Sequence, residues 1–355
     1  MIDANVLDAA ALGPYLEQHV PGFAGIEAIE KFSAGQSNPT YLIKAESGRY
    51  VLRAKPAGHL LKSAHMVDRE FRVMKALFGS GVPVPNVLYL SGEDTPIGRM
   101  FYVMAFLDGR IFWDPALPEI LDNAGRAAIY DAMNATLAAL HGLDVERIGL
   151  TDFGKPGNYF ERQFGRWTSQ YRASETEAVP DMERLIAWLT ENMPDDDGQV
   201  SLVHGDFRLD NMIFARDAPS VIAVLDWELS TLGHPFADLA YQCMQWRLPH
   251  ESGFRGQRGL GGIDRAALGL PSERDYVERY CERRAIARVG NWTFYLAFSF
   301  FRFAAICQGV YRRALDGNAS NPEKAQLYSD AVRLLTALAV ELLDAEGEQE
   351  CALRD

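Results

Sequence analysis

The sequence predicts an α+β chain in two lobes, a small β-rich N-lobe with one main helix over residues 1–107 and a larger, mostly helical C-lobe over residues 108–355. Three observations predict it. The length, 355 residues, exceeds one ordinary core. Short apolar runs separated by turn signals fill the first part. From about Ile120 the apolar spacing becomes helical, with only two strand-like runs interrupting it.

Ile26 to Phe32, Thr40 to Ala45 and Tyr50 to Ala54 read as three strands, with Ser47-Gly48 as the turn between the second and third. Ala64 to Phe78 reads as a helix, with Met66, Phe71, Met74, Leu77 and Phe78 at helical spacing, ended by Val82-Pro83-Val84-Pro85. Val87 to Ser91 and Met100 to Phe106 read as two further strands. Long periodic segments follow over Ala124 to His141, Tyr159 to Tyr171 and Met182 to Glu191, then the strand-like runs Val200 to Val203 and Val221 to Leu225, then helices to the C-terminus. The glycine-rich stretch Gly253 to Gly262 reads as a loop, and loops on a rigid scaffold often carry binding function. A β-rich half followed by a helical one suggests two lobes with a ligand cleft between them.

Composition narrows the function classes. Apolar residues make up 48% and charged residues 23%, as in a soluble globular protein. A net charge of -13 without a basic stripe argues against nucleic-acid binding. Cys243, Cys281, Cys307 and Cys351 form no C-x-x-C pair and read as free thiols in a reducing compartment. Met1-Ile2-Asp3-Ala4-Asn5 has no basic segment leading into an apolar one, so no signal peptide is expected. Trp292 to Val310 is the most apolar stretch, but Arg302 interrupts it, which favours a buried helix over a membrane span. The expected location is cytoplasmic.

Leu202 to Asn211 carries the chemistry. A strand ends at His204, and the following loop presents Asp206 and, five residues later, Asn211. Fifteen residues beyond Asn211, a second strand ends in Asp226-Trp227-Glu228. Phosphoryl transfer is mostly positioning and electrostatics. Magnesium takes carboxylate, amide, phosphate and water oxygens. Asn211 and Asp226 supply metal ligands, and Asp206, free of the metal, accepts the substrate hydroxyl proton.

His204-Gly205-Asp206 to Asn211, followed by the strand ending at Asp226, resembles the catalytic and metal-binding loops of the aminoglycoside and choline phosphotransferase superfamily, which shares the protein-kinase fold. The resemblance implies a protein-kinase-like fold with an antiparallel N-lobe sheet, and ATP with Mg2+ as cofactors, with GTP as the alternative nucleotide. It implies that the turn Ser33, Gly35, Gln36, Ser37 and Asn38 covers the phosphates, although it lacks the kinase G-x-G-x-x-G. Kinases hold the α- and β-phosphates with a strand lysine. Here alternation puts Val51 and Arg53 on one face, so Arg53 takes that role, as in choline kinases, and Lys55 is the alternative. Glu70 matches the helix glutamate that pairs with this cation. Backbone at Met104, Ala105, Phe106 and Leu107 would bind adenine, before the hinge-like Leu107-Asp108-Gly109. Asp238 resembles the aspartate that anchors the catalytic loop, and His141, His204 and His234 read as structural.

The strings FSAGQSNPTYLI, VLRAKPAGHLLKSAHMVDREFRVMKAL and HGDFRLDNMIFA resemble more narrowly the phosphotransferase-like domain fused to acyl-CoA dehydrogenases of the family member 10/11 type. That resemblance implies a hydroxylated small-molecule substrate, such as a 4-hydroxyacyl-CoA, and a functional link to an acyl-CoA dehydrogenase. Two alternatives stand beside it: an aminoglycoside or choline-type kinase, and a catalytically silent nucleotide-binding interaction module. Trp113, Trp167, Trp188, Trp246 and Trp292 could wall a cation site but read as core.

Overall fold

The computed structural model describes residues 7–32, 38–56, 66–251, 258–317 and 325–352. Its elements begin with α1 (Ala9–His19), β1 (Ile26–Lys31), β2 (Thr40–Ala45), β3 (Gly48–Ala54), α2 (Val67–Leu77), β4 (Val87–Leu90) and β5 (Phe101–Ala105). They continue with α3 (Asn123–His141), α4 (Tyr159–Ser174), α5 (Pro180–Glu191), β6 (Ser201–Val203), β7 (Met212–Phe214), β8 (Val221–Val224) and β9 (Thr231–Gly233). The helices α6 (Phe236–Cys243), α7 (Glu273–Arg284), α8 (Trp292–Leu315) and α9 (Ala325–Ala352) complete them. The chain divides into two compact units. The first holds residues 1–110, 146–150 and 211–230, and the second holds 111–145, 151–210 and 231–355.

In the first unit five strands form one antiparallel sheet in the order β1-β2-β3-β5-β4. Alternation divides its side chains. Tyr41, Ile43, Leu52, Ala54, Phe101 and Val103 join Leu12 and Leu16 of α1 in one core. Val51, Arg53, Tyr102 and Met104 point the other way, and Arg53 lies directly opposite Tyr102 in the β3–β5 register. The helix α1 has no counterpart in the sequence reading, because Gly13 and Pro14 are poor helix formers. Burial of Leu12 and Leu16 overrides propensity, at roughly 1.5–3 kcal/mol each. The Asp8 side chain caps the helix by accepting from Ala10 N–H at 2.9 Å.

The expected stripe of α2 needs correcting. Met66 precedes the helix, and Phe78 follows it with 56% of its surface exposed. The buried stripe is Val67, Glu70, Val73, Met74 and Leu77, so a carboxylate sits on an apolar face.

Residues 211–230 pack with the first unit, whereas the sequence reading keeps everything after residue 107 in one lobe. The antiparallel hairpin of β7 and β8 is the reason. Arg110 and Phe214 exchange two backbone hydrogen bonds at 2.8 Å, and the Arg110 guanidinium donates to the carbonyls of Ala215 and Ala218 at 3.0 Å. Val224 N–H donates to Pro83 O at 2.9 Å. Gly109 permits this approach, since a Cβ there would lie 2.4 Å from the Phe214 carbonyl.

The second unit is built around α8. This helix is long and apolar enough to cross a membrane by length and composition, but 83% of its most apolar window is buried in the protein. Phe294, Phe298, Phe300 and Phe301 fill the core, as the sequence reading expects of this stretch. The short strands β6 and β9 pair antiparallel, with Leu202 opposite Leu232. Strands of three residues, such as β7 and β9, are too short to show a period. Cys243, Cys281 and Cys307 are buried free thiols.

Candidate active site

In the first unit the Arg53 guanidinium reaches three carboxylates. Its Nε lies 3.0 Å from Glu70 Oε2, and its Nη2 lies 2.6 Å from Asp226 Oδ1 and 4.0 Å from Glu228 Oε2. Glu70 also accepts from Tyr102 Oη at 3.1 Å and from Asn38 Nδ2 at 2.9 Å. Sequence alone accounts for this meeting in part. Arg53 and Tyr102 share a sheet face, and Glu70 lies on the buried stripe of α2. Lys55, the alternative to Arg53, lies past the end of β3 and pairs instead with Glu93 at 2.7 Å.

Asn211 and Asp226 belong to the same end of the β7–β8 hairpin. Met212 pairs with Val224, and Leu225 N–H donates to the Asn211 carbonyl at 2.8 Å. Asp226 takes the left-handed region at φ 65°, rare for a residue with a Cβ and characteristic of functional positions. One carboxylate oxygen from each of Glu70, Asp226 and Glu228 lies within 4.8 Å of the other two. The Arg53 guanidinium already lies on these three carboxylates, and Asp226, whose side chain is 31% exposed, offers the oxygens that suit a hard divalent cation.

Burial pushes the Glu70 carboxyl up to about 7, against the pull of Arg53 and with a further push from Asp226. An ordinary glutamate titrates near 4.3. Between those values the folded state holds a proton that the unfolded chain has released. This contribution therefore favours folding at acid pH and is lost as pH rises through about 7. A Glu70→Gln variant should show a flatter pH dependence of its urea midpoint between about pH 5 and 8 than the parent protein.

In the second unit Asp206 follows β6 on a tightly held loop. Asp238 is 1% exposed and accepts from His204 N–H at 2.6 Å and from Gly205 N–H at 2.8 Å. Its Oδ2 also meets His141 Nε2 at 3.2 Å, and His141 Nδ1 lies 2.7 Å from Tyr280 Oη. Gly205 takes φ 83°, which its lack of a Cβ permits. His204 Nδ1 accepts from Asp206 N–H at 3.1 Å. Arg302, the charge that interrupts the apolar run of α8, donates to the Gly205 carbonyl at 2.7 Å and lies over the rings of Tyr241 and Trp167. In the sequence, Arg302 argues only against a membrane span. A lone buried charge on an apolar helix was the available signal for its role.

Beside this loop, and within the same unit, Trp113, Arg208, Tyr241, Gln242, Gln245 and Arg258 line a recess. Arg208 Nε is 3.9 Å from Asp206 Oδ1 and, fully shielded, has no hydrogen-bond acceptor among the described residues. Arg208 pairs with Asp210, and Arg258 pairs with Asp114 at 2.8 Å. Trp113, expected in the core, is 54% exposed at this recess.

Of the other expected site residues, Ser33, Gly35, Gln36 and Ser37 lie outside the described residues, as do positions 253–257 of the glycine-rich loop. Asn38, expected at the phosphates, turns its amide to Glu70 and is 1% exposed. Met104 and Ala105 end β5. Ala105 N–H donates to Asn86 O at 2.9 Å and Phe106 N–H to Arg49 O at 3.3 Å, so neither donor faces a ligand. Within the expected adenine segment, this leaves the carbonyls and Leu107 as the groups to consider. His234 holds its turn by accepting from Phe236 N–H at 3.2 Å.

The phosphotransferase enzyme family matches residues 28–272. Mouse acyl-CoA dehydrogenase family member 10 is 48% identical over 337 residues, covering 94% of this chain and 31% of that protein. Human acyl-CoA dehydrogenase family member 11 is 43% identical, covering 96% of this chain and 44% of that protein. The chain thus spans under half the length of these relatives. A Ralstonia eutropha crystal structure designated an aminoglycoside phosphotransferase has a TM-score of 0.84 at 46% identity, covering 96% of this chain and 99% of that one. Spectinomycin phosphotransferase, solved with ADP and spectinomycin, shares the fold with a TM-score of 0.62 at 13% identity, covering 95% and 98% of the two chains. With the family match across most of its length and an antiparallel sheet followed by a helical unit, the chain belongs to the phosphotransferase enzyme family and has its protein-kinase-like α+β fold.

Proposed function

We propose that this enzyme transfers the γ-phosphoryl group of ATP to a hydroxyl of a small acyl metabolite, with a hydroxyacyl-CoA of the 4-hydroxy type as substrate. The observation that carries the ATP reading is the Arg53 guanidinium shared between Glu70 and Asp226, at the end of the hairpin that also carries Asn211. Asn211 and Asp226 would hold magnesium, which when bound screens phosphate charge. Arg53 would hold the nucleotide phosphates, kept in place by Glu70. Asp206 would accept the substrate proton as the hydroxyl oxygen bonds to γ-phosphorus and the bond from phosphorus to the bridging oxygen of ADP breaks. The loop bonds from Asp238, His204 and Arg302 hold Asp206 in one place.

The recess beside Asp206 supports the substrate class. Arg208 and Arg258 bring guanidinium groups to its lining, with 21% and 53% of their side chains exposed. Guanidinium groups suit carbonyl, carboxylate or phosphate oxygens, although Asp210, Trp113 and Tyr241 also line the recess and each arginine already has a carboxylate partner. The names of the acyl-CoA dehydrogenase relatives support an acyl-CoA substrate and a functional link to such a dehydrogenase. ADP release should be measured with Mg-ATP and a 4-hydroxyacyl-CoA, an aminoglycoside and choline. Turnover on the acyl-CoA is expected, and turnover restricted to amino sugars or choline would overturn the substrate reading. Arg258→Ala should raise KM for the acyl-CoA by about ten- to a hundredfold with little change in kcat, because a charge-assisted contact contributes about 1.5–3 kcal/mol.

A further inference from the structure

Asp226 cannot serve a cation and Arg53 in the same way at once. Its Oδ1 lies 2.6 Å from Arg53 Nη2, inside hydrogen-bond range. A divalent cation on that carboxylate repels the guanidinium, and Arg53, with a side chain only 11% exposed, would then lose a partner. Glu70 still pairs with Nε and the nucleotide phosphates can take other guanidinium hydrogens, but Nη2 loses its nearest carboxylate, and a buried donor left unpaired is unfavourable. Two features limit where Arg53 goes. Its Nε remains tied to Glu70 at 3.0 Å, on a fixed stripe of α2, which allows the far end of the guanidinium to turn but not to leave. Glu228 Oε2 already lies 4.0 Å from the same Nη2, just beyond hydrogen-bond range, with its side chain 24% exposed. Glu228 follows Asp226 by two residues within one tight turn, Trp227–Leu229, which Trp227 Nε1 pins by donating to the Val224 carbonyl at 3.0 Å. A swing of about an ångström converts the distant contact into a charge-assisted one.

We infer that Glu228 is a positioning residue that takes over Arg53 Nη2 when Asp226 turns to the nucleotide-bound metal. The proposal rests on the kinase reading above. It assigns the two acidic residues of Asp226-Trp227-Glu228 different tasks: the first holds the metal, and the second keeps the phosphate-binding arginine paired and aimed. In the nucleotide-free protein Arg53 favours Asp226, and in the loaded protein it favours Glu228. The coupling between Arg53 and Glu228 should therefore depend on magnesium.

The test is a double-mutant cycle over Arg53→Gln and Glu228→Gln, read as the affinity for a fluorescent ATP analogue in magnesium and in EDTA. For Glu228→Gln alone, affinity in magnesium should fall about tenfold, which is about 1.4 kcal/mol, and affinity in EDTA should stay within about twofold of the parent. The cycle should show coupling in magnesium and little in EDTA. Asp226→Asn serves as the control and should lose magnesium dependence outright. Equal coupling in both conditions would make Glu228 a static partner and overturn the proposal. Loss of all magnesium dependence in Glu228→Gln, matching Asp226→Asn, would make it a metal ligand and overturn it equally. If the parent protein shows no magnesium-dependent nucleotide affinity, the kinase reading itself fails, a result distinct from both. Should Glu228→Gln fold poorly, Glu228→Asp keeps the charge but shortens its reach, and an intermediate loss confined to magnesium is expected.

Discussion

Asp206→Ala is expected to lower turnover by about 10²–10⁴-fold while Mg-ATP affinity stays within about twofold, the range for removing a positioned proton acceptor. The expectation follows from how the carboxylate is held. His204 accepts from the Asp206 amide at 3.1 Å, and Gly205 is fixed on both sides, its N–H by Asp238 at 2.8 Å and its carbonyl by Arg302 at 2.7 Å. The Asp206 side chain is 24% exposed, so it can meet a substrate hydroxyl. Arg53, Glu70 and Asp226, the groups assigned to the nucleotide, belong to the other unit and do not depend on it. Nucleotide affinity and single-turnover transfer, measured on the same preparation, separate the two effects. Equal turnover in variant and parent would remove Asp206 from its assigned role.

Asp238→Ala is expected to lower folding stability by about 3–5 kcal/mol and to abolish turnover, the range for removing one partner from a buried charged network. The variant leaves the amides of His204 and Gly205 without their acceptor, and His141 without its carboxylate. The charge matters as well as the shape. Although burial pushes the Asp238 carboxyl up, hydrogen bonding and charge attraction from His141 and the loop amide outweigh it and hold the group below the usual range. A group lowered on folding stabilises the protein above its unfolded value, near 3.9, and loses that contribution as pH falls toward its folded value. Chemical denaturation between about pH 5 and 2.5 should show an acid limb that Asp238→Asn flattens. An unchanged limb in that variant would assign the acid sensitivity to other carboxylates.

How far the sequence could be read depended on how local each signal was. Strand β2 alternates over six residues with one buried face, so its period fixes which side chains point inward, whereas β5 is an apolar run buried on both faces and β3 alternates only in part. The partial alternation of β3 was enough to single out Arg53. It could not separate Arg53 from Lys55, because a period of two puts both on one face for as long as the strand continues, and only the structure ends β3 at Ala54. The partner of Arg53 was half visible. A glutamate at the helix position used by kinases was legible, but the stripe through Val67, Val73 and Met74 that buries it was misread through Phe78, which the chain turns outward. Trp113 was misassigned for a related reason: size and hydrophobicity favour burial on average, whereas a recess needs a wall.

By itself, the order of residues determined the family-bearing loop His204 to Asn211, the strand end at Asp226 and the division into β-rich and helical parts, since each is written in neighbours a few positions apart. Tertiary structure alone decided that Arg302, nearly a hundred residues from Gly205, holds that residue's carbonyl, that His141 joins Asp238, whose hold on the loop the resemblance implies, and that residues 211–230 pack with the N-terminal sheet. Those contacts join segments far apart in the chain. Their partners are chosen by which buried polar groups must find one another once the apolar faces have closed, and no local period records that choice.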